Sequence, residues 1–232
     1  MSEFMDEISK AERTVHCAEA GAWLESTGVL KGASFITSMP DVSEVPTLGL
    51  EGWKAWFTDR AEQILRCTPD DGVAIFYQTD VKKAGTWVDK GYLVSKGAER
   101  AGALLLWHKV VCRRPPGTIT FGRPAYSHML CFSRGLRHDL AHATADVLAD
   151  PGDVTWTRGM GAQACQAACR FVLDHTPTRT VVDPFCGHGT VLAVANALGL
   201  AAVGVELSAK RARKARGLGA RVEGSRVTLN DA

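Results

Sequence analysis

Thr180-Val181-Val182-Asp183-Pro184-Phe185-Cys186-Gly187-His188-Gly189-Thr190-Val191-Leu192 is the stretch whose reading decides the fold. An apolar β-branched run ends on an acid, passes through a turn with two glycines, and continues into an apolar stretch reaching Leu200. That pattern is a strand, a tight turn and a helix N-terminus. Gly187 and Gly189 let backbone approach a ligand closely or take positive φ, where a Cβ would clash. A second apolar run, Ala201-Ala202-Val203-Gly204-Val205, ends on Glu206. The acid falls about 20 residues beyond the glycines, the spacing at which a nucleotide ribose is gripped by its hydroxyls.

Outward from this unit, strand and helix patterns alternate. Apolar runs predict buried strands at 33–37, 73–78, 104–112 and 127–132, with Thr14–Cys17 a short strand and Arg226–Leu229 a closing one. Helices are expected over 18–26, 88–101, 161–173 and 209–218. Another is marked by Trp53, Trp56, Phe57, Ala61, Ile64 and Leu65 at three-to-four spacing. Residues 42–50 read as a loop, and 133–155 as polar and irregular with one short helix around Leu140 to Leu148. Such alternation gives a mostly parallel, doubly wound α/β sheet.

A chain of 232 residues with 46% hydrophobic and 22% charged residues has enough length for one sizeable core. No apolar run is long enough to span a membrane, and the acidic start is unlike a signal peptide. The net charge of +2 makes any nucleic-acid surface a local patch. The seven cysteines are scattered with no C-x-x-C pair, so neither a disulfide framework nor a zinc ribbon is indicated, and a reducing, cytoplasmic setting fits. Cys165 and Cys169, one helical turn apart among alanines, read as small buried residues. His138-Asp139-Leu140-Ala141-His142 approaches a zinc pattern, but Asp stands for Glu and no third ligand is evident, so no metal is expected.

The turn departs from a dinucleotide fingerprint, because Leu192 stands where the third glycine would be. Asp183-Pro184-Phe185-Cys186-Gly187-His188-Gly189-Thr190 instead resembles motif I of class I S-adenosylmethionine (SAM)-dependent methyltransferases. It is most similar to the D-P-F-x-G-S-G-T form of amino-methyltransferases acting on nucleic acids. The motif lies near the C-terminus, so the resemblance is to the circularly permuted members. It implies a Rossmann-like, mostly parallel seven-stranded sheet with an antiparallel edge strand. The whole chain, 1–232, would be one domain, its catalytic half at about 14–132 and its SAM-binding half at about 156–232. By the same resemblance Asp183, Pro184, Phe185, Gly187, Gly189 and Thr190 surround the cofactor, and Glu206 accepts the ribose hydroxyls. Arg158 would pair with the methionyl carboxylate, which faces the helix N-terminus at Thr190. Two segments compete for the adenine side: Val15-His16-Cys17, which the permuted order favours, and Val227-Thr228-Leu229-Asn230-Asp231.

The family aligns its target with a (D/N/S)-P-P-(Y/F/W) motif at a strand end, and Ser38-Met39-Pro40-Asp41 holds that place here. Ser38, Pro40 and Asp41 are therefore the candidate catalytic residues. Met39 replaces a proline, and Asp41 replaces the aromatic residue that would stack on a flipped base. Asp41 is either a base towards a hydroxyl or ring N–H, or a cap on a turn. No cysteine adjoins the tetrapeptide, which disfavours a cysteine nucleophile. Residues 133–155 leave too little chain for a sequence-reading module, so a substrate recognised by shape, RNA and above all tRNA or rRNA, fits best. A protein partner supplying recognition is also compatible. Arg113, Arg114 and Arg123 form the phosphate-binding candidate; Lys210, Arg211, Arg213, Lys214 and Arg216 read as a solvated helix face. Methylation of DNA amines, methylation of a small molecule, and a catalytically silent partner subunit are the competing readings.

Overall fold

The run that ends in Asp183 forms an inner strand of an eight-stranded sheet. The computed structural model describes residues 11–137, 143–157 and 159–230. Its strands are β1 (Arg13–His16), β2 (Ala33–Thr37), β3 (Ala74–Gln78), β4 (Val81–Lys83), β5 (Thr86–Val88) and β6 (Leu104–Cys112). They continue as β7 (Tyr126–Ser133), β8 (Val147–Leu148), β9 (Thr180–Asp183), β10 (Ala201–Val205), β11 (Gly219–Glu223) and β12 (Arg226–Asn230). The helices are α1 (Ala20–Thr27), α2 (Gly49–Cys67), α3 (Lys90–Arg100), α4 (Ala162–His175), α5 (Thr190–Ala197) and α6 (Ala209–Gly217).

The sheet runs β1-β10-β9-β2-β3-β7-β6-β8, with β1, β10, β9, β2 and β3 parallel. From β9 the chain steps outward to β10 on one side; from β2 it steps to β3 on the other. Between β9 and β2 the direction of winding reverses, and a crevice opens beyond the carboxyl ends of strands at such a point. Side chains alternate with the pleat: in β3, Ile75 and Tyr77 join one core and Ala74 and Phe76 the other. The first core lies under α4, α5 and α6, and the second under α1, α2 and α3.

Three expectations need correction. The sheet has eight strands rather than seven, because two residues at the end of the polar segment, Val147 and Leu148, pair with β6. They replace the end of the short helix expected there; residues 138–142, including the histidine pattern, lie outside the described residues. The antiparallel strand is not at the edge: β7 is antiparallel to both β3 and β6 and lies between them. Its unbroken buried run Met129-Leu130-Cys131-Phe132 suits a position covered on both faces. Finally, Arg226–Leu229 forms a strand but not in the main sheet, since β12 pairs only with β11. Two smaller features also went unread: the β4–β5 hairpin, and short 3-10 turns at Val42–Glu44 and Pro46–Leu48.

Helix α2 buries Trp53, Phe57, Ala61, Ile64 and Leu65, as its spacing requires, with the Trp53 and Phe57 rings 5.0 Å apart. Trp53 also donates from Nε1 to the Pro40 carbonyl at 3.2 Å, so the core holds the 38–41 segment directly. Because Trp53 is fully buried, Trp53→Ala is expected to cost about 3–5 kcal/mol, read by urea denaturation.

Candidate functional site

The turn after β9 needs both glycines: φ is +54° at Gly187 and +87° at Gly189. Asp183, 3% exposed, accepts from the Thr37 hydroxyl at 2.7 Å and the Phe185 N–H at 3.1 Å through the same oxygen. This carboxyl therefore fastens the end of β9 to the end of β2. Burial pushes its pKa up to about 7, and the Glu206 charge adds to the rise; the two hydrogen bonds oppose it. A raised acid pKa favours the folded state fully below the unfolded value and less as pH rises. Asp183 thus lowers stability progressively between its ordinary 3.8 and about 7, with no further loss above. Asp183→Asn keeps an oxygen acceptor and removes the charge. It is expected to flatten this descent and to stabilise the protein by a few kcal/mol above neutrality, as read by urea denaturation across that pH range.

A cavity of about 290 Å³ opens at the crevice. Pro184, Phe185 and Gly187 line one side and Ser38, Met39 and Pro40 another, with Glu206 and Leu207 towards the end of β10. Glu206 is 7% exposed; its Oε1 accepts from the Ser208 N–H at 2.7 Å and lies 3.3 Å from Arg211 Nε. The Arg211 guanidinium in turn lies 5.9 Å from the Trp156 ring centroid. A smaller chamber of about 50 Å³ is bounded by Asp183, Cys186, His188, Thr190 and Ser38. Burial, with Asp183 and Glu206 nearby, pushes the Cys186 thiol far up, so it stays protonated although it shares this chamber with Ser38.

Ser38 and Met39 also face a third chamber of about 40 Å³, with Asp41, Gln78, Lys90, Arg113 and Arg123 among its walls. Asp41 is 6% exposed; its Oδ2 lies 2.8 Å from Arg123 and 3.8 Å from Lys90 Nζ. Its N–H donates to Glu44 at 3.0 Å, and its carbonyl accepts from the Glu44 N–H at 2.8 Å. The backbone of Asp41 thus starts the turn while its carboxylate meets the buried Lys90 and the part-exposed Arg123. Lys90 has its pKa lowered by burial, with Asp41 opposing, and its ammonium lies 5.7 Å from the Trp53 ring centroid.

The structure thus brings Ser38, Pro40, Pro184, Phe185, Gly187 and Glu206 to one cavity, and puts Asp183 and Thr190 beside it. Gly189 lies behind the turn against α6 rather than on a cavity wall. Cys17 is exposed at the end of the strand, its thiol 3.7 Å from the Leu207 carbonyl, and the adjoining Ala18 and Glu19 line the cavity. The strand before it does hold the edge position beside β10, whereas 227–230 lies in the separate hairpin. Arg158 lies outside the described residues. Of the basic clusters, Arg113 and Arg123 reach the third chamber. The helix cluster is partly absorbed: Arg211 meets Glu206, and Arg216 donates to the Val15 carbonyl at 2.8 Å. Sequence reading missed Glu19, Gln78 and Lys90. Glu19 had a signal in its place after a strand end; a lysine opening a helix gave none.

No protein-family model matches the chain, and no curated protein matches it. Solved structures do. A Thermus thermophilus protein assigned as a DNA modification methylase, complexed with S-adenosyl-L-methionine, superposes with a TM-score of 0.66. It is 19% identical, over 88% of this chain and 92% of that one. The PvuII DNA methyltransferase (cytosine-N4-specific) gives 0.68 at 14% identity, over 89% and 86%. An M1.HpyAVI–SAM complex gives 0.58 at 10%, over 88% and 97%. At these identities the likeness establishes a shared Rossmann-like methyltransferase fold.

Proposed function

We propose that this protein is a SAM-dependent methyltransferase of circularly permuted class I architecture, acting on RNA. The observation that carries the reading is the position of Ser38, which walls both the 290 Å³ cavity and the charged chamber behind it. A donor and an acceptor in these two places meet at one residue. The strand order supports the permuted reading, because the N-terminal β1 lies beyond β10 and continues the sequence β9-β10-β1 outward. Two of the similar structures are SAM complexes, and two are named as acting on DNA.

The residues fit the cofactor. Pro184, Phe185 and Gly187 would hold its methionyl part, and the buried Glu206 carboxylate would offer acceptors to the ribose hydroxyls. When bound, SAM supplies an activated methyl: the sulfonium–carbon bond breaks as the acceptor lone pair forms the new bond, leaving S-adenosylhomocysteine, and an acceptor proton passes to water. The protein's part is alignment. Thr37, bonded to Asp183, fixes the strand end from which Ser38 projects, and Trp53 fixes Pro40 from behind.

RNA is favoured by two features. Asp41 is ion-paired where a stacking ring would hold an extruded base, so bases already unpaired are the easier targets. Residues 113–125, which include chamber walls, carry three arginines and no acid. They expose Phe121 at 92%, and bond to the hairpin that exposes Trp87 through Lys82 N–H to the Gly122 carbonyl, 3.4 Å. Cations interleaved with open aromatic faces suit single-stranded nucleic acid. Tritiated SAM incubated with total RNA, DNA and a metabolite extract is expected to label RNA. Label confined to DNA or to small molecules refutes the RNA assignment, and label in none of them refutes the methyltransferase.

A further inference from the structure

Gln78, at the carboxyl end of β3, is 1% exposed and lines the chamber behind Ser38. Its side-chain amide nitrogen is buried and has no hydrogen-bond partner. An orphaned buried donor is costly, and such atoms are uncommon in folded proteins. Its surroundings point the same way. Lys90, Arg113 and Arg123 bring donors to this chamber, and the Asp41 carboxylate is already engaged by Arg123 and flanked by Lys90. Glu44, the chamber's other carboxylate, is engaged as well, accepting from the Asp41 N–H, so the walls offer donors in excess of free acceptors. A ring presenting a carbonyl oxygen satisfies such a wall. An exocyclic amine pointed at it adds one more donor to a place already rich in them.

We infer that Gln78 is a specificity-determining residue whose amide donates to a carbonyl oxygen of the methyl acceptor, so that the chamber selects a keto-bearing nucleobase over adenine. The inference rests on the proposed function only for the identity of the chamber's occupant. The orphaned amide is a property of the protein alone, and this separates the two in a test.

The variant is Gln78→Met, which keeps length and volume and removes the polar group. Urea and thermal denaturation of the free protein are expected to place it at or above wild-type stability, because an unpaired amide has been removed. A marked loss of stability would mean that the amide is bonded in the free protein, which overturns the inference. In parallel, total RNA labelled with tritiated SAM is digested to nucleosides. The label is expected on uridine, guanosine or cytidine derivatives; label on adenosine overturns the inference. Gln78→Met is expected to lower kcat/KM for RNA by tenfold or more, with SAM affinity by calorimetry unchanged, and unchanged kcat/KM overturns it. If wild type labels no RNA at all, the proposed function fails, while the stability comparison still decides whether the amide is free.

Discussion

Glu206→Ala is expected to lower affinity for SAM by about ten- to a hundredfold, the range for losing hydrogen bonds to a buried charged group. The carboxylate is 7% exposed at the end of β10, and its Oε1 is held by the Ser208 N–H and faced by Arg211. That partnership fixes the side chain at the cavity wall before any ligand arrives. The ribose hydroxyls of a bound nucleoside would then meet an oriented acceptor, with little further ordering cost. Alanine removes the acceptor and frees Arg211, which is 39% exposed in its side chain and can turn to water. Stability should therefore change little while affinity collapses. Calorimetry with SAM, alongside circular dichroism, separates the two, and an unchanged affinity would count against Glu206 as the ribose acceptor.

Gly189→Val is expected to destabilise by about 2–5 kcal/mol, adding the cost of a non-glycine residue at left-handed φ to that of overpacking. The residue sits at φ +87°, and a Cβ there would lie 2.7 Å from the Ala215 Cα and 3.0 Å from its carbonyl oxygen. The obstacle is the backbone of α6, which cannot rotate aside as a side chain can. Gly187→Ala is the instructive contrast. Its φ is +54°, but an added Cβ meets nothing nearer than Trp156 Nε1 at 4.0 Å, so only the backbone term of about 1–2 kcal/mol remains. Urea denaturation of both variants tests whether the two glycines serve different purposes: Gly189 for packing the turn on α6, and Gly187 for leaving the cavity open.

The sequence made the β9 to β10 unit legible because its signals are local. The glycines, the apolar runs and Glu206 all fall within one βαβ span, where residue type and spacing carry the geometry. The pairing of β2 with β9 is another matter. Thr37 and Asp183 are 146 positions apart, and nothing in either segment encodes a parallel register with the other. The tetrapeptide after β2 could be placed opposite the glycine turn only through likeness to a permuted family. The edge placement of the antiparallel strand failed for a related reason. An apolar run such as Met129–Phe132 reports burial, not which neighbours provide it.

The third chamber was the least readable part. Lys90 looks like an exposed charge at a helix start, yet it is 4% exposed because Asp41 meets it from a loop distant in sequence. Asp41 itself admitted two readings, a base or a turn cap. The structure shows its backbone in the turn and its carboxylate in an ion pair with Arg123. Helical spacing puts Trp56 on the apolar face of α2; there it packs edge-on against Phe185 with centroids 6.0 Å apart and lines the 290 Å³ cavity. Periodicity located its face of the helix correctly but could not show that this face ends at a ligand-sized space.

The most direct test of the central claim is a calorimetric titration of the full chain with SAM. One-to-one binding with micromolar affinity, weakened in Glu206→Ala, is the result the cavity between Ser38 and Glu206 requires. Absence of binding at millimolar SAM by a protein that is folded would contradict it.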